Sequence, residues 1–130
     1  MELTALERSV LERLLSGNHP ELVALRRQLA AAMVVDREMT GVGFFTDLSV
    51  PPEIPSAALR RRVVLTGVGA NVPGVQHGVG FALFVEDGRV SMLEGFSYDE
   101  PWNPAPFDGF DLQGELLADD LDKLDAAPMP

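Results

Sequence analysis

Residues 62–98 read RVVLTGVGANVPGVQHGVGFALFVEDGRVSMLEGFSY, and this stretch decides the fold. Its apolar residues alternate with small or polar ones, the period of β-strands and not of helices. Two turn signals divide it. Val72-Pro73-Gly74-Val75 carries proline then glycine at its centre, the requirement of a type II turn, and Asp87-Gly88 is a two-residue hairpin loop. Counting outward from the first turn sets Val68 against Val79, Thr66 against Phe81 and Val64 against Leu83. Counting from the second sets Val85 against Val90, Leu83 against Met92, Phe81 against Glu94, Val79 against Phe96 and His77 against Tyr98. Both turns therefore assign one set of alternate residues to a single apolar face.

The same pattern extends upstream. Thr40-Gly41 marks another hairpin, in which Met39 opposes Val42, Arg37 opposes Phe44, Val35 opposes Thr46 and Met33 opposes Leu48. Before residue 33 the period changes to that of helices. Leu3, Leu6, Val10 and Leu14 form one stripe, widened by Leu11 and Leu15, with Glu2, Glu7, Arg8, Glu12 and Arg13 facing out. Gly17 and Asn18 end that helix, and His19-Pro20-Glu21 starts a second with proline at its first position and a buried stripe of Leu22, Leu25, Leu29 and Ala32. The expected fold is α+β, with two N-terminal helices packed on one face of a twisted, mostly antiparallel five-stranded sheet and an acidic C-terminal extension.

A chain of 130 residues is one domain's worth, and 46% hydrophobic with 23% charged residues is an ordinary globular composition. Residues 1–98 are read as the helix-sheet domain. Residues 99–130 hold nine acids against the single base Lys123 and are read as its appendage. The absence of cysteine excludes disulfides, thiolate metal sites and cysteine nucleophiles, and two histidines make a zinc hydrolase a poor fit. A net charge of −10 repels a phosphate backbone, so no nucleic acid is expected as a partner. No apolar run is long enough to span a membrane and no signal segment opens the chain, so the expected location is the cytoplasm. No cofactor or metal is expected.

Among candidate site residues Glu94 is the most informative, because the pairing above places its carboxylate on the apolar face. A charge there requires a partner, and the only base expected on that face is Arg37, so Arg37 and Glu94 are read as a structural pair. The alternative reading makes Glu94 a general acid or base beside His77 and Tyr98. The glycine pairs Gly67/Gly69 and Gly78/Gly80 do not read as phosphate loops, since no helix follows them. With Gly43 and Gly95 they fall on the face opposite the helices, which leaves that face bare for something to pack on. Phe45, Phe84 and Leu93, with Val63 and Leu65, supply its apolar patches. The segment from Tyr98 to Phe110, with Trp102, Phe107 and Phe110, is expected to lie extended across it. Leu112 to Leu124 reads as an amphipathic helix whose Asp119, Asp120 and Asp122 face a basic partner.

The stretch Thr40 to Thr46, together with Phe81 to Val85, Glu86-Asp87-Gly88-Arg89, Ser91 to Tyr98 and Glu100-Pro101-Trp102, resembles a group of small bacterial proteins of unassigned function. That resemblance spans roughly residues 20–102 and implies an architecture but no activity. In size and charge the chain is also similar to immunity proteins that neutralise toxins. The expected function is accordingly a non-enzymatic protein-binding domain, an immunity or antitoxin-type inhibitor of a basic partner protein. Partner-binding residues would be Phe45, Phe84, Leu93, Trp102, Phe107, Phe110, Asp119, Asp120 and Asp122. Two alternatives stand beside it: a small-molecule binding or hydrolytic domain using Glu94, His77 and Tyr98, and a homodimer joined by its glycine-rich faces.

Overall fold

A computed structural model describes residues 1–59, 61–105 and 107–126. Helices α1 (Ala5–Leu14) and α2 (Pro20–Leu29) precede strands β1 (Met33–Met39), β2 (Gly43–Ser49), β3 (Val63–Asn71), β4 (Val79–Glu86), β5 (Arg89–Ser97) and β6 (Asp111–Gly114), and α3 (Ala118–Ala126) follows. The strands form one sheet in the order β1-β2-β5-β4-β3-β6, antiparallel throughout. The α+β architecture and its two leading helices are those expected. The sixth strand is an addition, and the helix expected over Leu112 to Leu124 is shorter, confined to α3. Strand and helix divide the stretch read as one tail helix, since Asp111–Gly114 pairs with Val68–Asn71 before α3 begins.

Local chemistry sets the helix ends. Thr4 and Glu7 form a reciprocal capping box at the start of α1. His19 Nδ1 accepts from the Glu21 amide ahead of Pro20 in α2. Arg26 donates to the carbonyls of Leu15 and Gly17 at 2.6 and 3.0 Å, satisfying the C-terminal end of α1. Leu6, Val10, Leu11 and Leu14 of α1 and Leu22, Leu25 and Leu29 of α2 are buried with Phe44, Phe81, Leu83 and Leu93 of the sheet. Between them sits Gln28, which donates to Gly88 O at 2.8 Å and accepts from Val90 N at 2.9 Å, tying α2 to the β4–β5 hairpin.

Three bulges change which residues reach this core. The Asp87-Gly88 loop forms as expected, with both residues at positive φ (49° and 77°) and Val85 opposite Val90. One extra residue in β5, next to that pair, then sets Phe84 opposite Met92 and Ala82 opposite Glu94. A one-residue slip turns every later side chain over. Leu93 and Gly95 thus face the helices, and Met92, Glu94 and Phe96 face away. In β3, Val63 and Leu65 are buried where Val64 and Thr66 were expected; Gly67 and Val68 then oppose the single Phe81, and Val68 and Ala70 regain the core face. In β1–β2 the loop spans Thr40 to Val42, which moves Arg37 opposite Thr46. A bulge at Val35 brings Val34 into the core and leaves Val35 63% exposed.

These registers overturn the pairing of Arg37 with Glu94, because the β5 bulge carries Glu94 to the other face. Arg37 instead meets Glu7, expected to face solvent but fully buried at 0% exposure. Its Nε and Nη2 donate to Glu7 Oε2 and Oε1 at 2.9 and 2.7 Å, a bidentate pair. Thr46 Oγ1 donates to the same carboxylate, as does the Thr4 amide at 2.8 Å. Burial alone raises the Glu7 carboxyl, but the hydrogen bonds from Arg37, Thr4 and Thr46 outweigh it and hold the group below its ordinary 4.5. Glu7→Gln should therefore cost about 3 kcal/mol in chemical denaturation, since it leaves the guanidinium poorly paired. Glu94→Gln should stay within about 0.5 kcal/mol of wild type.

Candidate binding face

One side of the sheet carries no N-terminal helix, and the registers lay its residues out in rows. Asp36, Asp47, Met92, Phe84 and Val64 form one row across β1-β2-β5-β4-β3. Glu38, Phe45, Glu94, Ala82 and Thr66 form the next. Gly43, Phe96, Gly80 and Gly69 form the third. Phe45, Phe84, Met92 and Phe96 are half-buried, and the acids Asp36, Glu38 and Asp47 at the β1–β2 end are exposed. Glu94 lies between Phe45 and Ala82 and has no ion-pair or hydrogen-bond partner among the described residues. Burial by these apolar neighbours raises its carboxyl above the ordinary 4.5. Arg62 lies beside this face, 4.5 Å above the Phe84 ring and 3.7 Å from Glu86.

Beyond Phe96 the face opens into a groove of about 520 Å³ over β4, β3 and β6. Its floor holds Gly67, Gly69, Gly78 and Gly80, its wall is Phe96 with Tyr98, and Asn71, His77 and Gln113 stand around it. The two rings meet edge to face at 5.6 Å and 85°. A side chain at Gly80 would come within 2.6 Å of the Tyr98 hydroxyl and 2.8 Å of the Phe96 ring, so these rings account for the glycine. Gly95 is accounted for on the opposite face, where the Phe44 ring lies across it. The Gln76 and His77 amides each donate to the Glu100 carboxylate at 2.7 Å, which fixes the Val72–Gly78 turn against the start of the C-terminal segment. Those two hydrogen bonds hold the Glu100 carboxyl below its ordinary value.

His77 and Tyr98 thus share one groove, whereas Glu94 is not part of its lining. The hydrolytic arrangement of the three is not assembled. Among the described residues no group of three or more histidines and acids could hold a metal ion, and no helix is long and apolar enough to cross a membrane.

The partner-binding candidates divide sharply. Phe45 and Phe84 lie on the open face, but Leu93 is buried under the helices by the β5 bulge. Trp102 and Phe107 are buried too, because the segment from Tyr98 onward runs to the helix-covered side and not across the glycines. Trp102 N donates to Gly41 O at 2.9 Å as the chain passes the β1–β2 turn. Its ring then packs on Phe44 and Phe81 at 5.8 and 6.3 Å, and Phe107 meets Phe44 at 5.2 Å. Phe110 is partly buried against the same core.

The acidic tail is likewise held by its own chain. Asp119 and Asp122 are exposed, but Asp120 is buried and accepts from Thr66 N and Oγ1 at 2.7 and 2.5 Å and from Lys123 at 2.7 Å. Leu117 N donates to Thr66 O, so the start of α3 closes the β3 edge that β6 leaves open. Leu124 is buried, Arg13 donates to Gly114 O at 2.6 Å, and His19 meets Asp125 at 2.8 Å.

Comparison with protein-family models, with curated proteins and with solved structures gives no match for this chain. Burial alone raises the Asp120 carboxyl, but Lys123 and Thr66 outweigh it and hold it below its ordinary 3.8. A depressed carboxyl stabilises the docked helix above its unfolded pKa and loses that effect as pH falls through the folded value. The protection of the Thr66 and Leu117 amides, relative to free-amide exchange at the same pH, should therefore fall in acid before that of the β4–β5 hairpin. In Asp120→Asn the same amides should exchange faster already at neutral pH.

Proposed function

We propose that this chain is a non-enzymatic binding protein, an inhibitor of the immunity or antitoxin type, that presents the open face of its sheet to a basic protein. The observation that carries this reading is the position of Glu94, a carboxylate without a cation partner among the described residues, set among Phe45, Met92 and Phe96. An arginine or lysine entering there gains the carboxylate and neighbouring aromatic faces together. Aromatic anchors with a desolvated charge at the centre are the usual makings of an interface hot spot. Asp36, Glu38 and Asp47 extend the negative field beside it and favour rapid encounter with a positive surface. A second copy of the chain would bring these acids against their own kind, which disfavours self-association through this face.

This reading shifts the binding role from the tail to the sheet. Removing residues 111–130 would delete a strand and the buried Leu124, so such a truncation measures folding before it measures binding. Exposed Asp119 and Asp122 contribute field at the β3 side. The test is retention of proteins from the native cell extract on the immobilised full chain, on Glu94→Arg and on Phe45→Glu. A basic protein held by wild type at about 50 mM salt, released by about 300 mM and missing from both variants is the expected result. Equal retention by wild type and by folded variants, or retention of no basic protein, would overturn the reading.

A further inference from the structure

The groove beyond Phe96 has a chemistry unlike the acidic face it adjoins. In a chain with twenty acidic and ten basic residues, none of its lining residues is Asp, Glu, Lys or Arg. Its floor is strand backbone at Gly69, with Gly80 beside it under the Phe96 and Tyr98 rings, and it reaches the β3 bulge where Gly67 and Val68 oppose Phe81. Tyr98 is 52% exposed even though its ring is fixed across Gly80 and against Phe96. The size, about 520 Å³, is that of a small-molecule site.

An ionic ligand would lose hydration there without gaining a counter-charge, and the net charge of −10 further disfavours a phosphate. Sugar hydroxyls would find amides but no carboxylate acceptor. A flat, neutral ring finds more. It can stack on the exposed ring of Tyr98 and lie beside Gly69, which carries no side chain. The primary amides of Asn71 and Gln113 each offer one acceptor and two donors, and His77 offers one of each when neutral. Such groups match the alternating donor and acceptor edge of a nucleobase. We propose that this groove binds an uncharged heteroaromatic ring of nucleobase or nucleoside size. The proposal shares Phe96 with the sheet face but does not use Glu94, so its test and that of the face are read separately.

The test is titration of the isotope-labelled full chain with adenosine and with uridine, read by amide chemical shifts, with methyl glucoside as the carbohydrate arm and adenosine monophosphate as the charged arm. The expected result is a saturable shift with either nucleoside at the Gly69 and Gly80 amides and the Asn71 and Gln113 side-chain amides, with weaker binding of the monophosphate. Tyr98→Ala should weaken nucleoside binding about tenfold by removing half the wall. Gln113→Ala, at an exposed position, should weaken it about fivefold with the fold intact, and serves if Tyr98→Ala does not fold. No saturable shift at these groups up to about 10 mM nucleoside, equal binding of methyl glucoside, or unchanged affinity in both folded variants would overturn the proposal.

Discussion

The carboxylate of Glu7 is the constraint on which the arrangement of the sheet and the helices depends. A buried charge is tolerated only where it is paired and hydrogen-bonded, and every partner of this one comes from a different part of the chain. Thr4 supplies the capping amide, Arg37 the guanidinium from β1, and Thr46 the hydroxyl from β2. The pair also reaches the C-terminal segment, since the Arg37 guanidinium stacks 5.3 Å from the Phe107 ring. One polar knot thereby sets how α1 crosses the sheet and gives Phe107 and Trp102 their place beside Phe44.

A second device has the same character at the other end of the sheet. Arg89 donates to the carbonyls of Val50, Pro51 and Ile54 at 2.6–2.9 Å and to Ser56 Oγ at 3.0 Å. The proline-rich connection between β2 and β3 has few amides of its own to pair, and a single guanidinium gathers its carbonyls. Together with Gln28, it secures the β4–β5 hairpin from both sides.

How much of this was legible in the sequence follows from the physics of each element. The helices and five strands were readable because their apolar period and turn residues are local signals. Asp87-Gly88 gave an accurate first pair for the same reason. The three bulges were not readable. Each inserts one residue according to packing across the sheet, and each turns over the side chains beyond it. That is why Glu94 was expected in the core, whereas Glu7 was placed outside by the apolar stripe of α1. Ser/Thr-x-x-Glu/Gln at Thr4 to Glu7 was a visible capping signal, but nothing local says that the same carboxylate also faces an arginine thirty positions later. Phe45 and Phe84 were placed on the open face because β2, and β4 on the hairpin side, keep their alternation. Trp102 and Phe107 were misplaced because an extended segment without a period carries no statement of which face it covers.

The central claim is a division of labour between two glutamates. Glu7 is the structural acid, which leaves Glu94 on the open face for a partner. The most direct measurement is a carbon-detected magnetic resonance titration of the glutamate side-chain carboxyls in the folded chain. The account predicts that Glu7 titrates below 4.5, through its bonds to Arg37, Thr4 and Thr46, and that Glu94 titrates above it. A depressed Glu94 alongside an ordinary Glu7 would contradict the account, because it would return the arginine pair to β5 and remove the free carboxylate from the face.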